Sequence, residues 1–218
     1  MNRAIEFLYY DAITDQSIRK AYAEPHRVYH TFTHVDNMIA HIDEWEQSWF
    51  SCKDICTDLT VDDPIDEIEY MYAMRVAAVF HDIVYKPGVA RGINELESAH
   101  KFVEYATPYD LNDTLMNFIQ KLIIATAKPE DYVKGEKYER LSKSKTKDAK
   151  KGAALYLSCS WFVRMDWPNW HLYDLPGFLP PPFYMHHIHI DVVKSLIDWE
   201  DKIFKEFKGA ENLEAYVT

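Results

Sequence analysis

Four side chains able to bind a metal ion fall into two short runs of the sequence. His30 and His34 lie four apart at the opening of a helical pattern, and His81 and Asp82 are adjacent within VAAVFHDIVY. Asp82 is the more informative, because it is a carboxylate among residues that otherwise belong in a core. An unpaired buried charge costs several kcal/mol even after relaxation, so Asp82 needs a partner. A divalent cation satisfies both members of the pair, since neutral imidazole and carboxylate are ordinary ligands for Zn, Mn, Fe and related ions. Blander roles compete. A lone buried histidine is usually a hydrogen-bonded core residue, and a His–Asp pair also caps or bridges helices. Two such elements on neighbouring helices favour metal. The spacing of 47 positions from His34 to His81 is enough for a helix, a loop and an antiparallel helix that brings them together.

The elements that must position these groups are helical. Ile5, Leu8, Tyr9, Ala12 and Ile13 step at three and four, the period of an amphipathic helix. Thr33 with Asp36 suggests an N-cap, and Val35, Met38, Ile39, Ile42 and Trp45 mark one buried face. Seven acids and no base occupy Asp54 to Glu69, predicting a solvated loop that enters a helix at about Asp66. That helix carries Ile68, Met71, Tyr72, Val76, Val79, Phe80 and Ile83, and Lys86-Pro87-Gly88 stops it. Asn94 with Glu97 suggests a further N-cap, and Leu115, Phe118, Ile119, Leu122 and Ile123 define another helix. No alternation at period two is convincing. The expectation is an all-α bundle forming a single domain over residues 1–218.

After Ala127 the pattern changes. Residues 128–151 hold nine basic and five acidic side chains, so 128–152 is expected to be an exposed basic loop. Residues 156–190 are expected to be irregular, with tryptophan and proline dense from Trp161 to Pro182. Val192, Val193, Leu196, Ile197, Ile203, Phe204 and Phe207 then suit a C-terminal amphipathic helix.

Composition narrows the function. The net charge of −11 argues against general nucleic-acid binding, which needs clustered Lys and Arg. No stretch approaches the roughly 18 apolar residues of a membrane span. The N-terminal residues lack a signal peptide's apolar core, and three cysteines make a disulfide framework improbable, so the cytoplasm is the expected compartment.

The runs HRVYHTFTHV, AVFHDIVY, NELESA and LIIATAK, in that order, resemble the HD superfamily. They are closest to its predicted metal-dependent phosphohydrolases with an R-x-Y-H-x-x-x-H opening. The resemblance covers roughly residues 3 to 128 and the helix around VVKSLIDWEDKIFK. It implies an all-helical HD domain in which His34, His81 and Asp82 are metal ligands. It also implies that Arg27, His30, Asn94, Glu95 and Ser98 surround the pocket. Two departures stand out. Lys128-Pro129-Glu130 follows the A-T-A-K stretch where relatives tend to carry a histidine. Leu155 to Ser160 aligns best with a family motif ending the metal set, and it has Ser158 and Ser160 rather than an aspartate. Asp166 is the candidate substitute ligand, with Asp148, Asp174 and Asp191 as others.

The implied chemistry is phosphoester hydrolysis on a small phosphorylated or nucleotide-like substrate. A bound divalent ion (Mn, Mg, Fe, Zn, Ni and Co are not distinguished) lowers the pKa of its water from about 15.7 toward roughly 7. Asp82 is expected to act at the metal and Glu95 as proton acceptor. Arg27 and His30 are expected to meet phosphate, with Asn94 and Ser98 beside them. Structural roles compete for Arg27 in a turn and for Glu95 in a first helical turn. The missing aspartate motivates a second reading, a degenerate HD protein that binds a nucleotide or protein partner without catalysis. A di-iron oxygenase is a third. Cys52 with Cys56, and the cluster His186, His187 and His189, lack partners at a recognisable ligand spacing and suit structural or surface roles.

Overall fold

The computed structural model describes residues 4–47, 65–128, 131 and 146–166. Among these residues all regular structure is helical and there is no strand, as the periodicity predicts. Seven α-helices occur: α1 (Ala4–Thr14), α2 (Gln16–Tyr22), α3 (Phe32–Gln47), α4 (Glu67–Phe80), α5 (Ile93–Ala106), α6 (Asp113–Ala125) and α7 (Lys147–Asp166). None is long and apolar enough to cross a membrane.

Helix α4 is the axis of the bundle. It is nearly free of polar residues past its first turn, and Tyr70, Met71 and every residue from Ala73 to Phe80 are buried. A helix that is apolar all round must be covered on all sides, and α1, α3, α5 and α6 pack against it. Its start is fixed by a reciprocal cap. Asp66 accepts from the Glu69 N–H at 2.9 Å, and the Glu69 carboxylate accepts from the Asp66 N–H at 3.2 Å. Side chains of all seven helices share one apolar core, in which Phe80 and Phe102 meet edge to face at 5.6 Å.

The other helices are anchored by local chemistry. Asp15 caps α2, accepting from the Ser17 N–H at 2.6 Å, and Asn112 caps α6, accepting from the Leu115 N–H at 2.8 Å. Helix α5 is entered differently from the expected cap at Asn94. Gly92, in the left-handed region at φ 88°, is the residue before it, and Asn94 lies inside the first turn. Helix α3 likewise opens at Phe32, before Thr33, which leaves His30 in the preceding turn.

Helix α7 corrects two expectations. Residues 147–152, predicted to be loop, and 156–166, predicted to be irregular, form one helix of 20 residues. The prolines that motivated the irregular segment start only at Pro168, so the chain up to Asp166 is free to be helical. Its apolar residues Ala154, Cys159, Phe162 and Val163 join the core, against α3 and α6. Ser158 is fully buried and spans two helices, accepting from Tyr70 Oη at 2.9 Å and donating to the Ala154 carbonyl at 2.9 Å. Most of the 128–145 run, Cys52 and Cys56, the Trp/Pro segment beyond Asp166, Asp174, the three histidines near residue 187 and the helix expected from Asp191 lie outside the described residues.

Candidate metal centre

Three helices bring four ligand side chains to one point. His34 comes from the first turn of α3, His81 and Asp82 from the end of α4, and Asp166 from the last residue of α7. One ligand atom from each lies within 4.8 Å of all the others. Asp166, the candidate substitute for the acid expected within Leu155 to Ser160, is thus a member of the cluster, and it lies about two helical turns beyond Ser158. Asp148 is exposed in the first turn of α7, about 27 Å along the helix axis from Asp166.

One of the two imidazoles is hydrogen-bonded to a carboxylate and the other is not. His34 Nε2 is 2.8 Å from Asp166 Oδ1. His81 Nε2 sits 2.9 Å from Asp82 Oδ2 and 3.4 Å from Asp166 Oδ1, yet it is buried and makes no well-directed hydrogen bond to either. Its other ring nitrogen is committed, because Nδ1 donates to the Ala78 carbonyl at 2.9 Å. That bond is the usual support of a metal-ligating histidine: it fixes the ring's orientation and turns Nε2 toward the site. With an ion in place of the Nε2 proton, two neutral imidazoles and two carboxylates would carry a charge of −2, which a divalent ion balances. The donor set therefore fits a borderline divalent metal.

The electrostatics follow from the same crowding. Burial pushes the two aspartates up, but the positive charge that His81 takes on pulls both down, Asp166 to about 2 and Asp82 below the ordinary carboxylate range. Burial works against a charged His81, and the two carboxylates overcome it, raising its pKa well above the usual imidazole value. Glu95, partly buried in the first turn of α5, is pushed up by burial and by the charges of Asp82 and Asp166. A carboxyl in that setting is a better proton acceptor than a solvated one.

The remaining sequence candidates divide into two sets. His30 faces the cluster, with Nε2 4.0 Å from Asp82 Oδ2 and its ring stacked on Tyr85 at 4.2 Å. Arg27, Asn94 and Ser98 are buried and bind backbone. Arg27 donates to the carbonyls of His30 (3.2 Å), Asp82 (2.6 Å) and Ile83 (3.1 Å), and to Glu24 Oε2 (3.0 Å). Asn94 accepts from the Lys86 N–H at 3.0 Å and donates to the Lys86 carbonyl at 3.3 Å. Ser98 does the same for Val84, at 3.1 and 3.4 Å.

Sequence reasoning overlooked two residues at the site. Tyr29 packs its ring against His34 at 4.7 Å and donates its hydroxyl to the Asp166 carbonyl at 3.3 Å. His26 places Nε2 3.0 Å from the Tyr85 carbonyl. Tyr29 stands within the R-x-Y-H run and was the more findable. A side chain that serves a distant carbonyl leaves no trace in sequence spacing.

With this geometry established, comparison with known proteins adds nothing to it. No family model, curated protein or solved structure matches the chain.

Proposed function

We propose that the chain is a metal-dependent phosphohydrolase of the HD type, acting on a small phosphorylated or nucleotide-like molecule. One observation carries the reading: Asp166 joins His34, His81 and Asp82 in a buried cluster where His81 Nε2 faces two carboxylates without a hydrogen bond. The resemblance of HRVYHTFTHV and AVFHDIVY to the HD superfamily supports it. The binding-only alternative was motivated by the lack of an acid to complete the metal set, and the position of Asp166 supports the catalytic reading over it.

His34, His81, Asp82 and Asp166 would hold the metal. A divalent ion there supplies Lewis acidity, acidifying water and drawing charge from a phosphoryl oxygen. The chain's own groups do the rest. Glu95, raised in pKa beside the cluster, takes a proton from the attacking water as its oxygen bonds to phosphorus. The ester P–O bond breaks and the alcohol leaves, taking up a proton from solvent. His30, partly exposed at the edge of the cluster and held against Tyr85, is placed to donate to a phosphoryl oxygen.

The test is phosphate release from a panel of phosphomonoesters and nucleotides, by protein stripped with chelator and then supplied with Mn²⁺, Zn²⁺, Co²⁺ or Ni²⁺. Turnover that depends on metal and disappears in Asp166→Asn is expected. Nucleotide binding without turnover under every metal would return the reading to the non-catalytic alternative.

A further inference from the structure

The segment that follows α4 has no regular structure, yet its backbone is almost wholly satisfied. Five consecutive carbonyls, of residues 82 to 86, accept hydrogen bonds, and every donor is a side chain. Arg27 serves Asp82 and Ile83, Ser98 serves Val84, His26 serves Tyr85 and Asn94 serves Lys86. Buried backbone polar groups must find partners, and these are normally supplied by a helix or a sheet. Here two flanking elements, the turn before α3 and the first turns of α5, form a cradle around this irregular stretch of chain.

Asn94 and Ser98 lie four apart, about one turn, on α5, and they grip Lys86 and Val84, two apart in the irregular segment. Each side chain both donates to and accepts from its residue, as a neighbouring strand would. On the other side, the Arg27 guanidinium makes four of its possible five bonds and has no exposed side-chain surface. One of those bonds is to the carbonyl of Asp82 itself, at 2.6 Å.

We infer that Arg27, Asn94 and Ser98 are positioning residues that fix the backbone of residues 82–86 and thereby hold the Asp82 carboxylate against His81 and Asp166. The inference rests on the metal-centre reading above. It gives these three residues a role distinct from the substrate contact that their place in the sequence implies. Asp82 lies past the last residue of α4, so the helix does not set its direction, and the cradle does. Partners that orient metal ligands typically contribute ten- to hundredfold in metal affinity.

The experiment uses the full chain, stripped of metal and titrated with Co²⁺, whose visible absorption reports ligand geometry. Ser98→Ala removes both bonds to Val84 with little change in volume. Arg27→Lys replaces a planar fork by a point donor that cannot serve three carbonyls. Both are expected to weaken Co²⁺ binding roughly ten- to hundredfold and to shift the absorption band. Tyr70→Phe breaks a buried bond outside the cradle, and it should lower the melting temperature while leaving the Co²⁺ spectrum and affinity unchanged. If Arg27→Lys fails to fold, Ser98→Ala decides alone. Wild-type affinity and spectrum in Ser98→Ala would overturn the positioning role and leave the metal centre standing. A wild-type chain that takes up no Co²⁺ would overturn the metal centre and this inference together.

Discussion

Midway along α4, Arg75 lies against Asp43 and Glu46; less than two turns later, His81 lies against Asp82 and Asp166. Both are basic groups on the same apolar helix, each facing two acids. The first is complete in itself. Arg75 donates from Nε and Nη2 to Asp43 Oδ1 at 2.9 and 2.7 Å and from Nη2 to Glu46, and both acids are nearly half exposed to water. The second is largely enclosed and mismatched, with a buried ring nitrogen that faces two carboxylates and makes a well-directed bond to neither. A matched set of donors and acceptors needs no further component, whereas a buried surplus of acceptors does. That difference, and not the mere presence of charge in an apolar run, separates a structural cluster from a candidate site.

Substitution should separate the two clusters, and the largest effect belongs to the mismatched one. His81→Ala and Asp82→Ala should abolish metal-dependent phosphate release, while Arg75→Ala keeps it; equal losses in all three would erase the distinction. Next in size is Glu95→Gln. Loss of a general base typically costs about 10²–10⁴ in rate, so kcat should fall within that range while calorimetry shows metal still bound. Lost metal binding in this variant would make Glu95 a ligand instead. Arg75→Ala should destabilise the fold by about 1–2 kcal/mol in urea unfolding, since its partners are solvated enough to do without it. No change in Co²⁺ affinity should accompany that loss.

The smallest effect tests a charge outside both clusters. Asp15 accepts from the Ser17 hydroxyl and N–H, both at 2.6 Å, and these bonds hold its pKa below the usual value. A lowered carboxyl pKa means stability present above the unfolded value of about 3.9 and lost as pH falls through the folded one. Asp15→Ala should therefore cost about 1 kcal/mol at pH 7 and progressively less below pH 4. A cost that stays constant into acid would show that the carboxylate's charge plays no part.

Much of this molecule was legible from single residues with a strong local cause. The acidic run that ends near Asp66 marked the start of α4, and Asp82 in VAAVFHDIVY marked the site because a lone carboxylate in a core demands a partner. Asp166 was only one of four candidate acids, since its value depends on where the far end of α7 lands, which is set by packing against α3 and α6. Asn94 was misread as a cap for a related reason. Its side chain does bind backbone, but that of Lys86 across a loop and not its own helix, while Gly92 supplies the turn. Arg27 and Ser98 likewise have partners that are carbonyls, and a carbonyl is present at every position and so gives the sequence no signal. The irregularity expected from residue 156 onward came from counting Trp161 together with prolines that begin at Pro168.

The most direct test is anomalous diffraction from crystals of the full chain grown with Zn²⁺. The account predicts one strong peak about 2.0–2.2 Å from His34 Nε2, His81 Nε2 and a carboxylate oxygen each of Asp82 and Asp166. The close approach of His34 to Asp166 would then open into shared coordination. Density with no peak at that position, and His34 still hydrogen-bonded to Asp166, would contradict it.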